Sequence, residues 1–301
     1  MTVDVVMAGN LLVDDIVFED GATRMGQAGG ALLHAALAGA AWGARVGCVS
    51  VVGDDYPEAM LARLRARGVA LDGLRALGAP GLRVWLLHEG DARNMVCRIG
   101  RPSHDAVSPS PDDVPRAWRE APCLHVAPMP FERQRAMVAS RGGARFVSVD
   151  PHLALSERTL DAWRTVLGGA DALFASDDEM RLAGASERPV ETLRALAVGR
   201  MRYVVHKRGA QGGALYDARA DALFTWEPVP ARAVDVTGAG DAFAAGFLSG
   251  LCDGLAVEGC IARGAASASV AVEGGGAEAM SVCDRADLEA RAARCVVRRA
   301  A

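Results

Sequence analysis

"DVTGAGDAFAAGFLSGL", residues 235–251, decides how the rest of this chain is read. Gly238-Ala239-Gly240 leads into an apolar run with Phe243, Phe247 and Leu251 at four-residue spacing. That is the pattern of a helix with one buried stripe. A glycine loop opening a helix aims backbone N–H groups and the positive end of the helix dipole at an anion. Asp241 puts a carboxylate into the same place. The bare tripeptide is equally a helix with an acidic first turn, favoured by about 0.3–1 kcal/mol. Asp235 and Thr237 shift the balance, because two carboxylates and a hydroxyl now stand around the glycines. Phosphoryl transfer uses such a set: amides stabilise the charge on the moving group, while a carboxylate takes the proton of the attacking hydroxyl.

Upstream, short β-branched runs alternate with helical patterns. Residues 3–9, 45–52, 123–127, 145–150, 171–175 and 202–207 read as strands. Helices are expected at about 29–43, 56–67, 131–140, 177–184 and 190–198, then at 241–252, 256–271 and 285–295. Near-continuous apolar strands separated by helices imply a parallel sheet covered on both faces. One segment breaks the rhythm. "LRVWLLHEGDARNMVCRIG" (82–100) reads as a hairpin about a Gly90-Asp91 turn, an edge extension or a lid. The Ser/Pro/Asp stretch 102–115 is the best candidate connector.

Composition narrows the chemistry. A 301-residue chain with 51% hydrophobic residues has ample core, and a formal charge of −4 without a basic patch argues against nucleic acid. Seven scattered cysteines form no C-x-x-C pair, and they read as reduced thiols filling core positions. With no secretory pattern at the start and no apolar run near 18 residues, a soluble cytoplasmic protein is expected. Lys207 is the sole lysine. It follows His206, which excludes a P-loop, and Phe243 stands where a dinucleotide fingerprint needs its third glycine. Protein-kinase strings, metal-ligand clusters and a serine-nucleophile elbow are missing too.

The 235–251 stretch resembles the C-terminal signature of the ribokinase-like, PfkB-type carbohydrate kinases. "GNLLVDDIV" (9–17), "GQAGGALLHAALAGAAWGARVGCVSVVGDD" (26–55) and "VVHKRGAQGGALY" (204–216) follow the same family in the same order. The resemblance implies one domain over 1–301: an α/β fold, a three-layer αβα sandwich with a mostly parallel central sheet. A small β-sheet lid would come from about 11–25 and 82–102. ATP is the implied phosphoryl donor. Asp241 is then the base, and Gly238, Ala239 and Gly240 form the anion hole. Asp14 matches the carboxylate that grips substrate hydroxyls, and Gly29 and Gly30 match the pair that lets the backbone approach a sugar. Lys207, Arg208, Gly209 and Gly212 lie in the nucleotide-side loop. Glu179 matches the magnesium-water network, and Asp235 and Thr237 sit where the family often holds potassium.

Three positions depart from the family pattern. His34 replaces the usual Asn four residues after Gly30; it offers a donor and an acceptor with larger reach, or is a satisfied histidine on a buried helix face. The N-x-x-E motif appears as "SDDE" (176–179), where Ser176 also reads as the N-cap of the helix expected at 177–184. Pro57 replaces a common Gly, a neutral change. His125 and His152 are read as structural.

The expected function is ATP-dependent phosphorylation of a hydroxyl, primary CH2OH, on a small sugar or sugar acid. A nucleoside or inositol kinase of the same fold is the alternative, with Trp42 and Trp85 the aromatics near the lid that could stack a base. A catalytically silent sugar- or nucleotide-binding sensor is the rival from another class. A homodimer through the lid is expected, because an exposed hairpin edge needs cover.

Overall fold

The computed structural model describes residues 2–89, 92–185 and 187–300, so the Gly90-Asp91 turn lies outside the described residues. The chain opens with β1 (Val5–Ala8), β2 (Leu12–Val17), β3 (Thr23–Gly29), α1 (Ala31–Ala41), β4 (Val46–Val52), α2 (Glu58–Ala66) and β5 (Ala70–Ala76). A hairpin follows, β6 (Arg83–Glu89) and β7 (Ala92–Cys97). Next come β8 (Cys123–Val126), α3 (Phe131–Ser140), β9 (Phe146–Val149), α4 (Leu160–Leu167), β10 (Ala172–Ser176) and α5 (Pro189–Leu196). β11 (Tyr203–Lys207), β12 (Gly213–Asp217) and β13 (Ala222–Trp226) precede α6 (Ala239–Cys252), α7 (Val257–Ala271), α8 (Glu278–Val282), α9 (Arg285–Ala292) and β14 (Val297–Arg299).

Among the described residues, ten strands make one sheet in the order β14-β13-β12-β11-β10-β9-β8-β1-β4-β5. From β5 to β11 neighbours run parallel, and β12, β13 and β14 are added antiparallel at one edge. β1 shows why the strands read as unbroken apolar runs. Val6 and Ala8 join Met137, Trp163 and Leu193 of α3, α4 and α5 on one face. Val5 and Met7 join Leu33, Leu37, Ala245 and Leu248 of α1 and α6 on the other. Alternate side chains feed two cores, so neither phase of the strand can be polar. Phe243 and Phe247 of α6 continue the second face against Phe174, Tyr203 and Leu215.

The helix expected at 177–184 is absent. Ser176 ends β10, Glu179 Oε2 accepts from the Ser176 N–H at 2.7 Å, and Met180 bridges to Leu155 as a short parallel pair. The acidic cap chemistry closes a single turn, and the chain then takes sheet contacts in place of a second helical turn. Trp42 is also not near the small sheet. It is buried, its Nε1 donating to Ser267 Oγ at 2.8 Å while the Arg263 guanidinium covers its ring.

A second sheet, β3-β2-β6-β7, stands apart from the first; β2 and β6 are parallel and the outer pairs antiparallel. Its first segment runs through Gly29, beyond the 11–25 expected. A small apolar core of Ile16, Leu82, Val84, Leu86 and Val107 lies beneath it. Asp15 ties its strands together. The fully buried carboxylate accepts from Arg83 Nη2 at 2.6 Å and Nε at 2.7 Å, from Arg98 Nη1 at 2.9 Å and from the Gly26 N–H at 2.8 Å. Arg83 above all, with Gly26 and Arg98 and against burial, holds the Asp15 carboxyl down at about 2. Against an ordinary 3.8 this is worth about 2 kcal/mol. A lowered carboxyl stabilises the fold above its unfolded value and loses that contribution as pH falls through the folded one. Urea midpoints should therefore drop between about pH 4 and pH 2 in the wild type, and Asp15→Asn should start lower at pH 7 and flatten that slope.

Candidate active site

The parallel strands β1, β8, β9, β10 and β11 end at one edge of the large sheet, where open α/β folds place ligands. α6 begins there. Its N-cap, Gly238, has φ 76°, and no side chain caps the helix, so the first-turn amides point outward from a positive dipole end. A Cβ at Gly238 would lie 2.0 Å from His34 Cγ, so the imidazole rests directly on the glycine. His34 is buried one turn into α1, which starts immediately after Gly30. On the other flank, a Cβ at Gly240 would come within 2.9 Å of Lys207 Nζ, at the end of β11. Asp241 is the next residue, partly exposed in the first turn.

Three stretches remote in sequence thus meet at one helix end. Asp14 and Gly29 form a further contact, a Cβ at Gly29 falling 2.0 Å from Asp14 Oδ2. The carboxylate is buried, and Tyr56 Oη lies 3.5 Å from the Gly29 carbonyl. Gly30, with φ 102°, leaves no room for a side chain beside the Asn10 carbonyl. Arg208, Gly209 and Gly212 form the turn after β11, where Arg208 Nε also lies 3.8 Å from Asp177 Oδ1. Arg208 Nη2 donates to Gln211 Oε1 at 2.5 Å, and a Cβ at Gly212 would strike the Trp226 carbonyl.

Asp150, at the end of β9, is the residue that sequence reasoning missed. Its Oδ2 accepts from Lys207 Nζ at 2.6 Å, while its buried Oδ1 has no hydrogen-bond partner among the described residues. A signal existed: Asp150 closes an apolar strand, "RFVSVD", at the edge where parallel strands place their chemistry. Burial works against the Lys207 charge, but Asp150, Glu179 and Asp241 outweigh it and raise its pKa. For Asp150 burial is the main cause of an upward shift, with Glu179 and Asp241 adding to it and Lys207 opposing. One ammonium among three carboxylates leaves the floor of the site negative.

Asp235 is a buried staple. Its Oδ1 accepts from the Thr237 N–H at 2.9 Å and its Oδ2 from the Gly276 N–H at 2.8 Å. Burial opposes its charge, yet Thr237 and Gly276 hold the carboxyl below the usual range. His88 of β6 reaches the same carboxylate, its Nε2 3.9 Å from Oδ1, with its ring stacked on Phe18. The small sheet therefore touches the loop that precedes α6. Among the described residues, no group of three or more His, Cys, Asp or Glu is arranged to hold a metal, and no helix is long and apolar enough to cross a membrane.

Comparison with known proteins agrees with this geometry. The pfkB family carbohydrate kinase model matches residues 10–282. A cytidine kinase of Thermococcus kodakarensis is 28% identical over 265 residues, covering 87% of this chain and 93% of that protein. A putative ribokinase II from E. coli, solved with ATP and Mg2+, superposes with a TM-score of 0.78 at 20% identity, covering 98% of this chain and all of that one. Arabidopsis thaliana ribokinase, solved with ribose and ATP, gives 0.76 at 22% identity over 97% and 99% of the two chains. With the fold, the glycine-capped helix and a family match over nearly its whole length in agreement, the chain belongs to the pfkB family of carbohydrate kinases, phosphotransferases that act on an alcohol group.

Proposed function

We propose that this chain transfers the γ-phosphoryl group of ATP to the primary hydroxyl of a small sugar unit, with Asp241 as base and the Gly238-Ala239-Gly240 turn as anion hole. The observation that carries this reading is the convergence of His34 and Lys207 on either side of the turn that opens α6. Amides aimed from a helix start favour the charge that spreads over a phosphoryl group in transfer. Asp241 stands one residue beyond them, within the reach of a hydroxyl attacking the same phosphorus. Asp14 and the Gly29-Gly30 backbone line the approach and bind sugar hydroxyls. His34 fills the side of the anion hole nearest the substrate. Lys207 supplies a point charge toward the phosphates, oriented by Asp150. Arg208, Gly209 and Gly212 shape the nucleotide-side turn.

Magnesium fits this site: three carboxylates and a nucleotide polyphosphate need a compensating cation, and Asp150 Oδ1 lacks a partner. Glu179 and Asp150 would hold its waters, and the ion would neutralise the phosphate oxygens. A potassium ion beside Asp235 and Thr237 belongs to the same proposal. The negative floor suits a neutral sugar unit better than a sugar acid. A silent sensor would bind its ligand without consuming ATP, and an ATP-consumption screen across sugars, nucleosides and inositols separates the two readings.

Asp241→Asn keeps the shape of the turn while removing the base. Turnover should fall by about 10²–10⁴-fold, with ATP affinity retained in a calorimetric titration. Near-normal turnover would reduce the carboxylate to a helix-end charge and sink the assignment.

Gly238→Ala must place a methyl both in the left-handed region and inside the His34 ring. The backbone alone should cost about 1–2 kcal/mol. In a His34→Ala background the same substitution should cost only that backbone part, so urea melts of the four proteins should be clearly non-additive. Additive losses would mean the ring yields freely.

We also propose that a second copy covers the small sheet. β7 is an edge strand whose Asn94, Met95, Val96 and Cys97 are all exposed, and Met25 and Ile99 extend the apolar surface. Light scattering should give a dimer at micromolar concentration, and Val96→Lys should shift it toward monomer. A monomeric wild type would overturn this.

A further inference from the structure

After β7 the chain crosses back over the ends of the large sheet's strands through residues 98–110. His104, on this loop, places its Nε2 2.8 Å from Asn10 Oδ1. The surrounding bonds settle where the proton lies. Asn10 Nδ2 donates to the Val107 carbonyl at 2.8 Å and to Ser108 Oγ at 3.0 Å. The Ser108 hydroxyl donates to the His104 carbonyl at 2.7 Å. Asn10 Oδ1 can therefore only accept, so His104 carries its hydrogen on Nε2 and keeps a lone pair on Nδ1. Burial, aided by neighbouring His152 and opposed by Asp105, lowers the His104 pKa to about 4. The ring is neutral at pH 7.

His152 meets His104 edge to face, with centroids 4.7 Å apart and planes at 85°. Its side chain is exposed. Both rings hang from segments that border the proposed site. Asn10 follows Gly9 at the end of β1, and its carbonyl abuts Gly30. His152 lies two residues beyond Asp150, the partner of Lys207. Arg133 of α3 pins the loop through Asp105 at 2.9 and 3.0 Å. The phosphoryl-transfer reading uses neither histidine.

We propose that His104 and His152 read a nucleobase carried by the substrate's sugar, which makes the acceptor a nucleoside. Two aromatic faces are wasted on a bare sugar, whose hydroxyls Asp14 can already meet. His104 has its N–H engaged by Asn10 and turns only a lone pair outward, which repels the carboxylate of a sugar acid. A flat heterocycle uses both properties: it packs on the exposed His152 ring, and its amino or ring N–H group donates to His104 Nδ1. This inference rests on the kinase reading above and deepens it.

The test is steady-state kinetics on the four common ribonucleosides and on free ribose, for wild type, His104→Ala and His152→Ala. Since His152 is exposed, its variant folds even where the loop around His104 does not. Wild type should favour at least one nucleoside over ribose. Each variant should lower the ratio of kcat/KM for that nucleoside to kcat/KM for ribose on the order of tenfold, chiefly through KM, as expected for one lost hydrogen bond or packing face. A wild type that prefers ribose overturns the inference while leaving the kinase reading intact. So does a ratio unchanged within about twofold in both variants, that being within the scatter of so small an energy. If none of these five is phosphorylated, the kinase reading passes to the wider acceptor screen, and calorimetric titration with the nucleosides in the presence of a non-hydrolysable ATP analogue decides the inference. Binding weakened in the variants supports the pair as a base reader, and absence of nucleoside binding overturns it.

Discussion

The start of α6 cannot move without moving the rest of the site. Gly238 is held in the left-handed region with the His34 ring where a Cβ would be, and Lys207 Nζ lies 2.9 Å from where a Cβ on Gly240 would stand. The helix behind them is locked by Phe243, Phe247 and Leu248, which belong to the two cores beneath this face of the sheet. A helix end boxed by α1 on one flank and β11 on the other is a fixed electrostatic fixture. Preorganisation of this kind is what lets backbone amides stabilise developing charge without rearranging.

Charge around that fixture is arranged against the ordinary preference of a protein interior. Lys207 and Asp150 are nearly buried as a pair, and such pairs add little net stability once desolvation is counted. Glu179 and Asp241 then add negative charge nearby. A fold selected for stability alone would not concentrate three carboxylates about one ammonium. The proposed ATP site supplies a reason: on that reading, the missing positive charge arrives with the ligand.

Where the chain is periodic, its sequence was a reliable guide. The parallel strands follow from unbroken β-branched apolar runs, because both of their faces are buried, and the α6 stripe follows from four-residue spacing. β5 was invisible for the opposite reason: "ALDGLRA" is an edge strand with half its side chains exposed and a glycine in the middle. β3, "TRMGQAG", is equally exposed. The SDDE turn misled because Ser and Glu at that spacing cap a helix or close a lone turn with the same bonds, and only the contact of Met180 with Leu155 chooses between them. His34 and Asp241 could be picked out by their place in motifs. His88 and His104 could not, since each acquires meaning from a partner on a different strand or loop, and Asp150 is marked only by its place at the end of an apolar strand.

The small sheet shows how strength is divided between holding a part together and holding it in place. Inside it, Asp15 gathers two arginines and a backbone N–H into one buried cluster. Its polar links to the body are weaker. Arg24 and Glu278 meet at 3.4 Å with both side chains largely exposed, Arg101 and Asp55 pair at 2.7 Å in partial contact with solvent, and His88 stops 3.9 Å from Asp235. The exposed Arg24–Glu278 pair contributes about 0–1 kcal/mol. Each of these links gathers fewer bonds than the Asp15 carboxylate, so the sheet is tied within itself more firmly than at any one of them. Because His88 ends at the carboxylate that staples the loop before α6, any shift of the sheet against the body bears on Asp235, close to the start of that helix.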